Sequence, residues 1–145
     1  MARSVALLVV LLYLCTPYFA HATSIKFHYE PENVTLTGTV EKQTFPGRPG
    51  YESIKNGDEV ERGWYLRLVD PIDVEETKND TDPNSSTERN VRILQLTWES
   101  GRVEDQIRPA SGKRVRIFGH LFHALSGHHH SRVLFWVDSC EVISK

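Results

Sequence analysis

The sequence predicts a mainly β fold, in which five strands close into one small barrel with a single short helix. Three observations lead there. Five segments carry the apolar alternation or β-branched enrichment of strands. Turn-forming residues separate them. A glycine also stands inside the first strand, where a closing sheet must bend.

The first strand is Val34–Val40, which alternates apolar and polar with period two and holds Gly38. Phe45–Gly63 follows, with Pro46, Gly47, Pro49, Gly50 and Gly57, and is too rich in turn residues to be regular. Trp64–Val69 is the second strand, with Trp64, Leu66 and Leu68 on one face; Asp70-Pro71 breaks it, and Ile72–Val74 can resume it as an edge. A polar stretch at about 73–90 reads as a solvated loop. Val91–Trp98 is the third strand, and Val103–Arg108 makes one or two helical turns closed by Pro109. Arg114–Phe122 is the fourth strand, with Val115, Ile117, Gly119 and Leu121 on one face. Val133–Val142 is the fifth. Five strands with a helix between the third and fourth fit an OB-like barrel, with an open β-sandwich or roll as the alternative.

The N-terminus predicts export. Arg3 precedes an apolar run from Val5 to Leu14, and Ala20-His21-Ala22 offers a small-x-small cleavage site. Residues 1–22 thus read as a signal peptide and 23–145 as one domain, placed in the periplasm or secreted after cleavage near Ala22. The apolar run is shorter than the about 20 residues that span a bilayer, and none follows it, so no transmembrane segment is expected in the mature protein. Cleavage removes Cys15 and leaves Cys140 without an intrachain partner; its apolar surroundings predict a buried, inert thiol. It also moves the formal charge from −2 to −3, since the segment carries Arg3 and no acid. Mild acidity with export argues against nucleic acid as the partner, even though Arg67, Arg114 and Arg116 could form a basic stripe on neighbouring strands.

Several spaced motifs resemble a known family. They include Thr35-Leu36-Thr37-Gly38-Thr39, Phe45-Pro46-Gly47-Arg48-Pro49-Gly50-Tyr51-Glu52-Ser53-Ile54, Gly57-Asp58 and Trp64-Tyr65-Leu66-Arg67-Leu68. Further along come Gly112-Lys113-Arg114-Val115, Gly119, Leu121-Phe122-His123-Ala124 and Gly127-His128-His129-His130. Over nearly all of the mature chain these resemble a bacterial family of exported domains catalogued as domain of unknown function four-four-three-one. The resemblance implies a periplasmic domain and supplies no catalytic residues.

Histidine is the strongest chemical signal, with five residues between His120 and His130. In an OB-like barrel the loop between the fourth and fifth strands rises beside the loop between the first and second, flanking the usual ligand face. Tyr51, Glu52 and Asp58 on the first loop, Trp64 on the second strand, and His128 and His130 on the histidine loop are therefore the candidate binding residues. They point to a binding or interaction module for an envelope protein or a glycan. The alternative is a metal-binding protein or metal-dependent enzyme that uses His123, His128 and His130, a set suited to zinc or copper. No Gly-x-Ser-x-Gly, His-Glu-x-x-His or phosphate-cradling glycine loop occurs, which favours a binding module over an enzyme.

Overall fold

The chain forms β1 (Ile25–His28), β2 (Asn33–Pro46), β3 (Val60–Glu75), β4 (Glu88–Thr97), β5 (Arg114–His123) and β6 (Val133–Val142), with helix α1 (Gly101–Ile107) between β4 and β5; apolar residues that recur with period two drive the longer strands. The computed structural model describes residues 24–77, 86–126 and 128–143. Residues 1–22, expected to be a signal peptide, most of the polar stretch before β4, and Gly127 lie outside the described residues.

The strands form one sheet in the order β1-β3-β2-β5-β6-β4, and a further pairing joins the last strand, β4, back to β3. Five strands, β2 to β6, thus bond in a ring, as the sequence leads one to expect, and the helix falls between the third and fourth of them. The β4–β6 and β1–β3 ladders are parallel and the rest antiparallel. The inward faces supply the core: Leu36, Val40, Leu66, Leu94, Ile117, Leu121 and Phe135 are all essentially buried. Ser100 caps α1 by accepting the Arg102 N–H, and Val103 and Ile107, one turn apart, bury against the ring.

Gly38 marks the corner of β2. It pairs with Leu68 on one side and Val115 on the other. A Cβ there would lie 2.3 Å from the Arg67 carbonyl oxygen, so only glycine permits the close approach.

The structure departs from the sequence expectation in four places. Of Phe45–Gly63, expected to be irregular, the first two residues end β2 and the last four open β3. A sixth strand, β1, adds to β3. Asp70-Pro71 does not end β3, which runs on to Glu75; what ends there is the pairing with β2, whose last pair is Gly38–Leu68. Proline has no N–H for that ladder, and beyond it β1 takes over as neighbour, from Ile25–Ile72 onward. The polar loop is also shorter than 73–90. Asp73 lies within β3, is 9% exposed, and accepts the Asn90 N–H at 2.9 Å.

Candidate functional site

The loop after β2 is fixed by one carboxylate. Asp58 accepts the backbone N–H groups of Gly50 and Glu52 at 2.8 Å and of Ser53 at 2.7 Å. Those bonds, from Ser53 foremost, hold its carboxyl below the ordinary value. The turn they close leaves Tyr51 at a φ of 57°, a left-handed conformation that costs a bulky residue about 1–2 kcal/mol.

From this position Tyr51 meets the histidine loop. Its hydroxyl lies 3.3 Å from His128 Nε2, with the two rings edge to face. His128 Nδ1 in turn lies 2.7 Å from Glu61 Oε1, at the start of β3. The other oxygen of the same carboxylate is 3.2 Å from His130 Nε2. An ionised carboxylate only accepts, so each imidazole donates to it; a neutral His128 then has Nε2 left to accept the Tyr51 hydroxyl. Burial pushes the Glu61 carboxyl up, but the hydrogen bonds and charge of His128 and His130 outweigh this and hold it below the ordinary value.

Beneath these groups the outer face of β3 and β4 is covered by the chain itself. The His130 ring stacks on Phe45 with centroids 4.3 Å apart and planes 4° from parallel. Tyr65 also packs against Phe45, with ring centroids 5.4 Å apart, and is 1% exposed. Gln95, directly across the ladder from Tyr65, donates to the His128 carbonyl and accepts the His130 N–H. His129 turns the other way: its Nδ1 accepts the Leu125 N–H at 2.8 Å. Burial, then the neighbouring histidines, push its imidazole down, which keeps that nitrogen an acceptor.

The structure therefore brings together Tyr51, His128 and His130, on the two loops named from the sequence. Glu52 contributes only its N–H, and Asp58 is spent on the loop's own backbone. Trp64 points to the other face of β3, packed against the core under Lys42. His123 belongs to a separate cluster, with Ser86 at 3.2 Å, Glu88 at 3.5 Å and Tyr29 edge-on to its ring. Among the described residues no three His, Cys, Asp or Glu side chains are grouped to hold a metal ion. The basic stripe is mostly neutralised as well: Arg67 is paired with Glu41 through two bonds and Arg116 with Glu141, while Arg114 has no such partner among the described residues. Cys140 is buried, which pushes its thiol up to about 11 and leaves it unreactive.

Glu61, Gln95 and Tyr65 went unnoticed in the sequence. The signal was present. Glu61, Gly63, Tyr65 and Arg67 alternate with the core-facing residues of β3, so they share its outer face. Treating everything up to Gly63 as irregular hid the first two of them.

The polar groups border an open depression of about 260 Å³, lined by Gly47, Arg48, Glu59, Val60, Glu61 and His128. Residues 93–141 match the family model described as Domain of unknown function (DUF4431). That segment is about a third of the chain and runs from within β4 to the end of β6. It includes Gln95, His128 and His130 but not Tyr51 or Glu61, so the site straddles its boundary. No curated protein matches the chain. Chemically the depression offers a cation, two carboxylates and an imidazole, with the Tyr51 phenol against that imidazole, a set suited to hydrogen-bonding a polar ligand.

Proposed function

We propose that this domain is an exported binding module, and that its ligand face is the depression between the loop after β2 and the histidine loop. A single observation carries the proposal. Tyr51, held in a strained backbone conformation, reaches across to His128, and Glu61 clamps His128 and His130 from below. Two loops far apart in sequence are thereby fixed over one polar groove. A site whose loops are already ordered spends little of its interaction energy on ordering them when a ligand arrives.

Partners consistent with this groove are an envelope protein or a glycan. The aromatic edge of Tyr51 beside Arg48, Glu59 and His128 suits a hydroxyl-rich surface. The test is capture from envelope extract with wild type and with a Tyr51→Ala, His128→Ala, His130→Ala triple variant. Circular dichroism confirms that the variant is folded. Loss of specific partners from the variant is expected; equal recovery of every partner would show that this face is not the site.

A further inference from the structure

A second groove lies away from the histidine loop, where β1, β2 and β3 meet. β1 pairs only with β3, so its far edge has no strand beside it among the described residues. The first part of β2, Asn33–Thr37, pairs with β5 alone. Extended in register, the β2–β3 ladder would set Leu36 against Asp70 and Thr35 against Pro71, which cannot donate. Two strand edges are thus left open on either side of a groove of about 330 Å³. Ile25, Phe27, Leu36 and Val69 give it apolar walls, and Asp70 and Arg114 give it charge. Ile25 is 56% and Val69 51% exposed, an unusual amount of large apolar surface beside an open edge. Neither the Asp70 nor the Arg114 side chain has an ion-pair or hydrogen-bond partner among the described residues.

We propose that this groove docks an extended segment of a partner protein, which adds as a strand and carries a carboxylate for Arg114 and a cation for Asp70. Open backbone edges select an extended chain, because only a strand satisfies a row of N–H and C=O groups at once. The apolar walls accept alternate side chains of that strand. The two uncompensated charges, of opposite sign, fix its direction, since a segment with its charges reversed would set like against like. β1 has four residues, an edge of about 13 Å, so the segment is short.

The test uses the whole chain and two labelled, end-capped eight-residue peptides that alternate valine and threonine. One carries Glu near its start and Lys near its end, and the other has these exchanged. Fluorescence anisotropy should show wild type binding one peptide at least about fivefold more tightly than the other. An Arg114→Glu, Asp70→Lys double variant should invert that preference; both positions are exposed, so the fold tolerates the change. A Tyr51→Ala, His128→Ala variant should bind both peptides as wild type does, so failure at the histidine loop is read separately. The proposal is overturned if neither peptide binds, or if charge reversal leaves the preference unchanged. It is also overturned if sedimentation shows a self-association that Arg114→Glu abolishes, which would assign the groove to a second copy of this chain.

Discussion

Replacing Tyr65 with Phe should stabilise the protein. Tyr65 is 1% exposed and its hydroxyl has no hydrogen-bond partner among the described residues. Burying a hydroxyl unpaired costs about 1–3 kcal/mol, and Tyr65→Phe removes that cost. Against this stands the space left by one oxygen, which now packs close to Gly63. A void of roughly 15 Å³ at about 24 cal/mol per Å³ returns roughly 0.4 kcal/mol. The net expectation is a gain of about 1–2 kcal/mol, or a rise of about 4–8 °C in Tm for a domain of this size. Urea and thermal unfolding followed by circular dichroism measure it. Alkaline titration supplies a second readout. Burial, joined by the charge of Glu61, raises the ionisation of the Tyr65 phenol well above its ordinary value of about 10. The unfolded chain therefore releases this proton at lower pH than the folded one. Its contribution to stability is complete below about pH 10 and lost as pH rises beyond it. Tyr65→Phe should flatten that alkaline fall. A variant less stable than wild type by 0.5 kcal/mol or more, or one with an unchanged alkaline limb, would show that the hydroxyl is satisfied and refute the reasoning (about 0.5 kcal/mol being the scatter of such measurements).

Three further outcomes follow from the geometry. Glu61 has a lowered folded pKa, so its hold on the histidine loop is complete above about pH 4.3 and is lost as pH falls through its own lower value; amide protection across residues 128–131 should fall on that acid limb, and Glu61→Gln should remove the pH dependence. Gly119→Ala would place a Cβ 1.8 Å from the Trp136 carbonyl oxygen and force the β5–β6 ladder apart, for a loss of about 3 kcal/mol or more, while Gly101→Ala at the open start of α1 should be neutral or gain up to about 0.5 kcal/mol; equal effects in denaturant unfolding would contradict the close approach. Asp58→Ala releases three N–H groups, so the loop after β2 should become sensitive to trypsin at Lys55 while the far-ultraviolet spectrum stays that of wild type.

The strands that the sequence displays most clearly are those with one buried face. In β5 the residues Val115, Ile117, Gly119 and Leu121 are buried and their alternates are not, so parity alone places them. The bounds of β6, Val133–Val142, coincide with the apolar run. β1 has no such signature, because Ile25, Lys26 and His28 are exposed and it is fixed by pairing with β3 rather than by its own pattern. The meeting of Tyr51 with His128 was legible for a topological reason, since both loops rise at the same end of a five-stranded ring. Their common partner was not. Glu61 reaches both histidines only through the register of β3 on β2 and β4, and no periodicity within one strand encodes a neighbour across the ladder. His123 failed as a member of the histidine group for a related reason. It closes β5, opposite Val133, and its ring is taken by Glu88 and Ser86 at the head of the β4 segment.

Two departures from good local design meet at the histidine loop. Natural sequences break local rules mainly where function requires it. Asn90 and Tyr51 are the non-glycine residues of positive φ among the described residues. Asn90 is easily explained: asparagine tolerates this conformation, and its N–H is taken by Asp73. The Tyr51 N–H is likewise taken, by the Gly47 carbonyl at 2.9 Å, but a bulky side chain gains nothing from the turn itself, and the same bonds could hold a glycine there equally well. What the tyrosine adds is a phenol set against His128. Directly below, Tyr65 buries a hydroxyl unpaired where phenylalanine would fill the same space. Each choice costs on the order of 1–2 kcal/mol, and together they are a substantial share of the margin of a small domain. Costs of that size set on either side of the same Glu61–His128 pair are what the proposed binding role would account for, since tying down the loop alone does not require a tyrosine at either position.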